Sequence, residues 1–329
     1  NEVKFMARDY GCTLELLDFF DLPYAVIGTT DTKKFSVFRH LPFHYKNFVP
    51  ATRSFDPDFV FGTGAYPAHA GAVTDADTIL VVDSEPTWIN HAISKPFADV
   101  ILTPHAFQKD LGDKQIRFRG FEECAYLHPD VYEPVGDVYD ELGLDQGERY
   151  VILRFNAWGS SHDFSEGGFS DTQRRELVEA LSEHATVLVS DEGGELDDAD
   201  LPARSFDVHP AYFHDALRNA DLLVADTQTA VTEAALLGTP SIRSNTWVGE
   251  DDMGNFVELE RNDLVYNLQS FEDVLERAKQ LLDEAAAARW TQRSDAYMRG
   301  LVNLTDVFRL VVGGFDDPDE LTRHEGVFS

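Results

Sequence analysis

The sequence predicts an α/β protein made of two parallel-sheet domains that face each other across a cleft, and three observations carry that prediction. Strand-like and helix-like patterns take turns along the chain, which argues for parallel sheets covered by helices on both faces. One stretch rich in Pro, Gly and acids interrupts the alternation and reads as a domain junction. The 329 residues are long for one compact core and comfortable for two.

The elements follow in order. "VKFMA", "YAVIG", "DFVFG", "TILVVD", "DVILTP" and "QIRFRG" are short β-branched or aromatic runs and read as strands. Between them "TLELLDFF", "YPAHAGAV" and "PTWINHAIS" have helical spacing. The junction is "FEECAYLHPDVYEPVGDVYDELGLDQGER", residues 121–149, which contains no long apolar run. Past it, "YVILRF", "TVLVS", "DLLVAD" and "PSIRSN" read as strands, with helices over "DTQRRELVEALSEH" and "QTAVTEAALLG". The expected organisation is a first domain over 1–120, the junction, a second domain over 150–298, and a packed-back helix with its tail over 299–329. Ligands of such sheets bind at the carboxyl ends of the strands, in the cleft.

Asp and Glu number 59 against 27 Lys and Arg, a formal charge of −32. That balance argues against a nucleic-acid or anionic-membrane partner. Spread along the whole chain, the acidity fits a solvated surface in a high-salt cytoplasm, where screening relieves self-repulsion. Cys12 and Cys124 are too few for a disulfide scaffold and lack metal-ligand spacing, so a reducing interior is expected. The chain does not open on a signal-peptide pattern, and no apolar run approaches the ~20 residues that span a bilayer. The apolar late segment "GLVNLTDVFRLVVGGF" carries Asp306 and Arg309, which suits a packed helix better than an anchor. These readings give a cytoplasmic protein.

One stretch concentrates the chemistry. In "ADTQTAVTEAALLGTPSIRSNT" a strand ends at Asp226, Thr227, Gln228 and Thr229 form a turn, and a helix begins near Ala230 with Glu233 in its early turns. The amides of a helix start, with the positive end of its dipole, favour a phosphate, and the hydroxyls of Thr227, Thr229 and Thr232 can donate to it. Glu233 one turn in is shaped to accept hydrogen bonds from a ribose diol. The same residues also fit a plain cap, with Glu233 complementing the dipole.

Other candidates lie at strand ends. "RFNAWGSSHD" places Arg154, Asn156, Trp158, Ser160, Ser161, His162 and Asp163 at the first strand of the second domain. Asp163 beside His162 would raise the imidazole pKa, or the pair caps a turn. "FGTGAYPAH" puts Gly62, Gly64 and His69 after a strand, and glycines there allow close backbone approach. Asp83 and Glu85 of "VVDSEPTW" form a carboxylate pair for acid and base work or for binding hydroxyls. Arg243 and Arg154 offset a diphosphate or pair internally with an Asp. His128 of "YLHP" lines the cleft or bonds the hinge backbone. A metal site is not expected: His40 and His44 lack partners of ligand spacing, and Pro42 between them breaks a helix. P-loop and G-x-G-x-x-G signatures are both missing.

The small-residue turn, the helix starting in E-A and the "LLGTP" that follows resemble the nucleotide-sugar site of GT-B enzymes. That superfamily includes glycosyltransferases and non-hydrolysing UDP-N-acetylglucosamine 2-epimerases. The resemblance implies two Rossmann-like domains, a glutamate at Glu233 holding the ribose, and Thr227, Gln228 and Thr229 on the phosphate side. It also implies no cofactor beyond a nucleoside diphosphate sugar as substrate, a UDP-sugar favoured, and is compatible with a homodimer.

"RDYGCTLELLD", "FADVILTP", "KQIRFRGFEECAYLHPDVYEP", "YVILRFNAWGSSHD", "TEAALLGTPSIRSN" and "MGNFVELE" resemble, in order and spacing, the DUF354 family of archaeal and bacterial proteins. Such proteins generally open with a further strand, loop and helix, so by this resemblance the first βα unit is missing here. Glu85 falls where the 2-epimerases carry an active-site acid, whereas the aspartate they place after the preceding strand is replaced by Gly62-Thr63-Gly64. That departure favours a glycosyltransferase, in which Glu85, His69, Asp83 or His162 serves as base. A non-catalytic binder of sugar nucleotides in surface-glycan synthesis is the alternative, and an epimerase the third.

Overall fold

The structure, a computed structural model, describes residues 2–29, 36–156, 167–193, 200–249, 252–284, 286–313 and 326–328, the side chains of 36–41 excepted. The chain forms two compact units. One comprises 1–103, 109–118 and 328–329, the other 104–108 and 119–327.

In the first unit β1 (Phe5–Asp9) and β2 (Tyr24–Thr29) pair in parallel as a sheet of their own. A second sheet has the order β3 (Phe59–Gly62), β4 (Asp77–Val81), β5 (Val100–Pro104), β6 (Gln115–Phe118), with β3, β4 and β5 parallel. The helices are α1 (Thr13–Phe19), α2 (Ser36–Phe55), α3 (Ala65–Ala72) and α4 (Trp88–Ser94). α2 departs from expectation, because it runs through both Pro42 and Pro50. Each proline removes a donor and crowds the preceding turn. Burial decides the outcome: Phe48 of α2 joins Ile27 and Ala70 in a core, with Met6, Tyr45, Val49, Val60 and Tyr66 packed against it.

In the second unit the strands are β7 (Tyr150–Phe155), β8 (Thr186–Asp191), β9 (Arg204–Ser205), β10 (Leu222–Ala225), β11 (Ser241–Arg243) and β12 (Tyr266–Asn267). They form one parallel sheet in the order β9-β8-β7-β10-β11-β12. Counted from β7, this is the doubly wound order 3-2-1-4-5-6, whose switch point lies between β7 and β10. Its helices are α5 (Val138–Leu142), α6 (Asp171–Ser182), α7 (Phe213–Asn219), α8 (Thr229–Leu237), α9 (Gly254–Arg261), α10 (Phe271–Asp283), α11 (Ala287–Met298) and α12 (Leu304–Gly313). The apolar core joins β7, β8 and β10 to α6, α10 and Trp290.

The stretch 121–149, expected to be a junction, packs within this second unit. Asp215 accepts hydrogen bonds from the Tyr132 hydroxyl and the amides of Val135 and Gly136, and Val138, Leu142 and Leu144 are buried. Its apolar residues form no long run, yet Phe121, Leu127, Val138, Leu142 and Leu144 are all buried. Cys12 is exposed and Cys124 buried, both as free thiols, and burial pushes the Cys124 thiol up to about 12.

Gly238 ends α8 in the left-handed region at φ 87°. A Cβ there would stand 2.7 Å from the Thr291 Cα, which is backbone and cannot swing aside. Gly238→Ala is expected to lower stability by about 2–4 kcal/mol, the sum of a left-handed backbone cost and an overpacking cost. Urea unfolding checks this, and an unchanged midpoint would refute the close packing of α8 on α11.

Candidate functional site

The site grows from the switch point of the second unit. Asp226, directly after β10, is fully buried. Its carboxylate accepts the amides of Asn156 at 2.7 Å and Phe169 at 3.3 Å, and its carbonyl accepts the Asn245 side chain at 3.0 Å. A Cβ on Gly168 would meet Asp226 Oδ2 at 1.8 Å, so glycine is required where that loop crosses the aspartate. Asp226 therefore pins the loops that leave β7, β10 and β11, and Asn156 contributes its backbone to the same pin.

Beyond Asp226 the chain turns through Thr227 and Gln228 into α8, which begins at Thr229, one residue ahead of the expected start. The Gln228 side chain makes no capping hydrogen bond, and no acidic residue stands in the first turn. Amides of a helix start need acceptors. The Thr227 hydroxyl is buried without a hydrogen-bond partner, while Thr229 is exposed. An uncapped helix start beside an unmatched hydroxyl is chemically suited to an anion.

Glu233 lies one turn further and is 7% exposed. Its Oε1 accepts the Tyr126 hydroxyl at 2.9 Å and stands 3.0 Å from His214 Nε2. A carboxylate offers only acceptors, so Nε2 carries the proton in this pair. The Tyr126 and His214 rings lie 5.2 Å apart, tilted by 31°. Burial, and then the Glu233 and Glu123 charges, raise the Tyr126 hydroxyl pKa, so the phenol remains a donor. Both partners escaped the sequence reading. Tyr126 stands in the "YLHP" segment, where His128 drew the attention, and no local spacing links His214 on α7 to Glu233.

An open cavity of about 440 Å³ adjoins the Asp226 pin. Gly168, Phe169 and Gln173 line one side, and Asn245, Thr246 and Phe271 are among the residues on the other. It opens at the carboxyl ends of β7, β11 and β12.

The remaining candidates divide clearly. Arg243 has no exposure, and its terminal nitrogens bond Asp252 at 2.8 and 2.9 Å and Asn267 at 3.0 Å. Its guanidinium lies 3.6 Å from the Phe256 ring centroid. Of the two roles read for Arg243 the internal ion pair is the one realised, which corrects the diphosphate expectation. Arg154 likewise pairs with Glu192, bonds the Ser190 hydroxyl at 2.8 Å and stacks over Phe213. His128 Nδ1 accepts the Asp130 amide at 3.2 Å, the backbone-bonding role. Trp158, Ser161, His162 and Asp163 lie outside the described residues.

In the first unit Gly62 and Gly64 both have positive φ, and Gly64 precedes α3. His69 is not poised as a base, since one ring nitrogen faces the Tyr45 hydroxyl and the other bonds the Ile93 carbonyl. His44 bonds the Tyr66 hydroxyl and the Thr29 carbonyl in the same structural manner. Asp83 and Glu85 follow β4, and Glu85 is 7% exposed. Burial raises the Asp83 carboxyl pKa against an opposing backbone hydrogen bond, with the Glu85 charge adding to the rise. Among the described residues no group of three or more His, Cys, Asp and Glu could hold a metal ion, and no helix is long and apolar enough to cross a membrane.

No family model and no curated protein matches the chain. Solved structures do resemble it. The UDP-N-acetylglucosamine 2-epimerase of Neisseria meningitidis, bound to UDP-GlcNAc, superposes with a TM-score of 0.61 at 13% identity, over 92% of this chain and 87% of that one. HepE of Anabaena in complex with UDP-glucose gives 0.55 at 13% identity, over 94% and 91%. Sucrose-phosphate synthase of Thermosynechococcus elongatus gives 0.55 at 12% identity, over 94% and 99%. This is the GT-B fold, shared by glycosyltransferases and sugar-nucleotide epimerases, and it is the fold of this chain.

Proposed function

We propose that this chain is a GT-B sugar-nucleotide enzyme, a metal-independent glycosyltransferase that takes a nucleoside diphosphate sugar in its second unit. The observation that carries the reading is Glu233, held by Tyr126 and His214 one turn inside the uncapped start of α8. The amides of that start, with the Thr227 and Thr229 hydroxyls, would bind the diphosphate and stabilise it as it leaves. Glu233 would accept from the ribose, and the cavity beside Asp226 has room for a base. Asp83, its carboxyl pKa raised by burial, and Glu85 are the proton carriers of the first unit. A UDP-sugar is the donor proposed, because UDP-GlcNAc and UDP-glucose occupy similar proteins. The adjacent carboxylates Asp83 and Glu85 also favour a second reading, an epimerase, since proton removal and return need two such groups. From the resemblance of the segments quoted above we further propose membership of the DUF354 family, and from the acidic composition a working place in a high-salt cytoplasm.

The test is calorimetric titration, in molar KCl, with UDP, GDP, CDP, dTDP and their sugar conjugates, followed by assay of any ligand for turnover. Binding of one series with release of its diphosphate or epimerised sugar is expected. If no nucleotide binds the folded protein, the reading fails. Tight binding without turnover would leave a sugar-nucleotide binder rather than an enzyme.

A further inference from the structure

We propose that Tyr126 and His214 are positioning residues that set the ribose selectivity of the site by occupying one oxygen of Glu233 and presenting the other to the ligand. This rests on the nucleotide reading of Glu233. An sp² oxygen accepts along two lone-pair directions, and Oε1 already has the Tyr126 hydroxyl at 2.9 Å and His214 Nε2 at 3.0 Å. Hydroxyls of a ribose must then address Oε2, on a carboxylate that cannot rotate without losing both donors.

The two donors reach Glu233 from separate parts of the second unit. Tyr126 follows the short helical turn at Glu122–Ala125, and His214 belongs to α7, which packs on α8. Their rings support each other at 5.2 Å, and Phe213 flanks His214 at 5.8 Å. The Glu233 side chain is 9% exposed and that of His214 29%, while Tyr126 as a whole is 40% exposed. Tyr126 therefore commits its polar end to Glu233 and leaves ring surface open beside the carboxylate. A tyrosine kept only to fill the core would be buried throughout. Fixing a carboxylate in advance removes the rotamer entropy that a ligand would otherwise have to overcome, and it makes the position of the accepting oxygen a criterion for the ligand.

The experiment measures dissociation constants of UDP, 2′-deoxy-UDP and 3′-deoxy-UDP for the full chain and for Tyr126→Phe and His214→Gln. The parent should prefer UDP to each deoxy analogue by roughly tenfold or more, the worth of a charge-assisted hydrogen bond. In Tyr126→Phe the preference should fall to within about threefold of unity, because the carboxylate is freed to turn. His214→Gln keeps a donor and should retain most of the preference. If both variants weaken UDP and its deoxy analogues by the same factor, the residues are merely structural and the proposal is overturned. If the parent discriminates and both variants discriminate equally well, it is overturned too. Failure of the parent to bind UDP would instead overturn the nucleotide reading, and this inference with it.

Discussion

Replacing Asp252 by alanine is expected to destabilise the second unit by about 3–5 kcal/mol, the cost of leaving a buried charge without its partner. Arg243 has no exposed surface, and Asp252 meets two of its nitrogens in a fork. Its Nε has no hydrogen-bond partner and the remaining acceptor, Asn267, is neutral, so no hydrogen-bonded counter-charge is in reserve when the carboxylate goes. The Phe256 ring under the guanidinium gives a cation–π contact that cannot replace a charge-assisted pair. Because the pair is buried, molar salt should change the loss little, unlike exposed pairs such as Arg309–Asp306. Urea unfolding of the parent and Asp252→Ala at low and high KCl tests this. The double variant Arg243→Met with Asp252→Leu should recover much of the loss, since an apolar pair of similar volume needs no counter-charge. A single variant within about 1 kcal/mol of the parent would sink the account.

What could be read beforehand follows from which interactions are local. The ten strands recognised in the sequence are short β-branched or aromatic runs, clearest where a parallel sheet buries them, and β7 and β10 have no exposed residue. β9 and β12 have two residues each and form the outer edges of their sheet, so no run marks them. Pro42 argued against a helix by a rule about backbone donors, and the core around Phe48 overrode it. The same division holds at the site. Thr227, Thr229 and Glu233 lie within seven consecutive residues, a strand end and helix start visible in one window. Tyr126 is 107 residues from Glu233 in sequence and His214 is 19, and no pattern of spacing connects them. For Arg243 the sequence offered two partners of equal chemistry. Only its burial against Phe256, with Asp252 alongside, decides between them.

Glu233→Ala is expected to weaken nucleotide binding by roughly 10- to 150-fold, the loss of a hydrogen bond to a charged group worth about 1.5–3 kcal/mol. The competing account makes Glu233 a complement to the α8 dipole, worth about 0.3–1 kcal/mol of stability and nothing to a ligand. The two accounts differ in what they predict together. A dipole partner belongs in the first turn facing solvent, whereas Glu233 sits a turn further in, 7% exposed, with donors from Tyr126 and His214 on one oxygen. Removing it leaves the His214 donor on a side chain that is 29% exposed and can turn to water, and Tyr126 at the unit's surface, so the fold should survive the change. Calorimetry and thermal unfolding on the same samples separate the cases. Binding lost from a protein that still unfolds cooperatively near the parent temperature supports a ribose-holding carboxylate. Affinity kept, with only a small drop in stability, would return Glu233 to the helix dipole and leave the start of α8 as the sole ligand-binding feature of the turn.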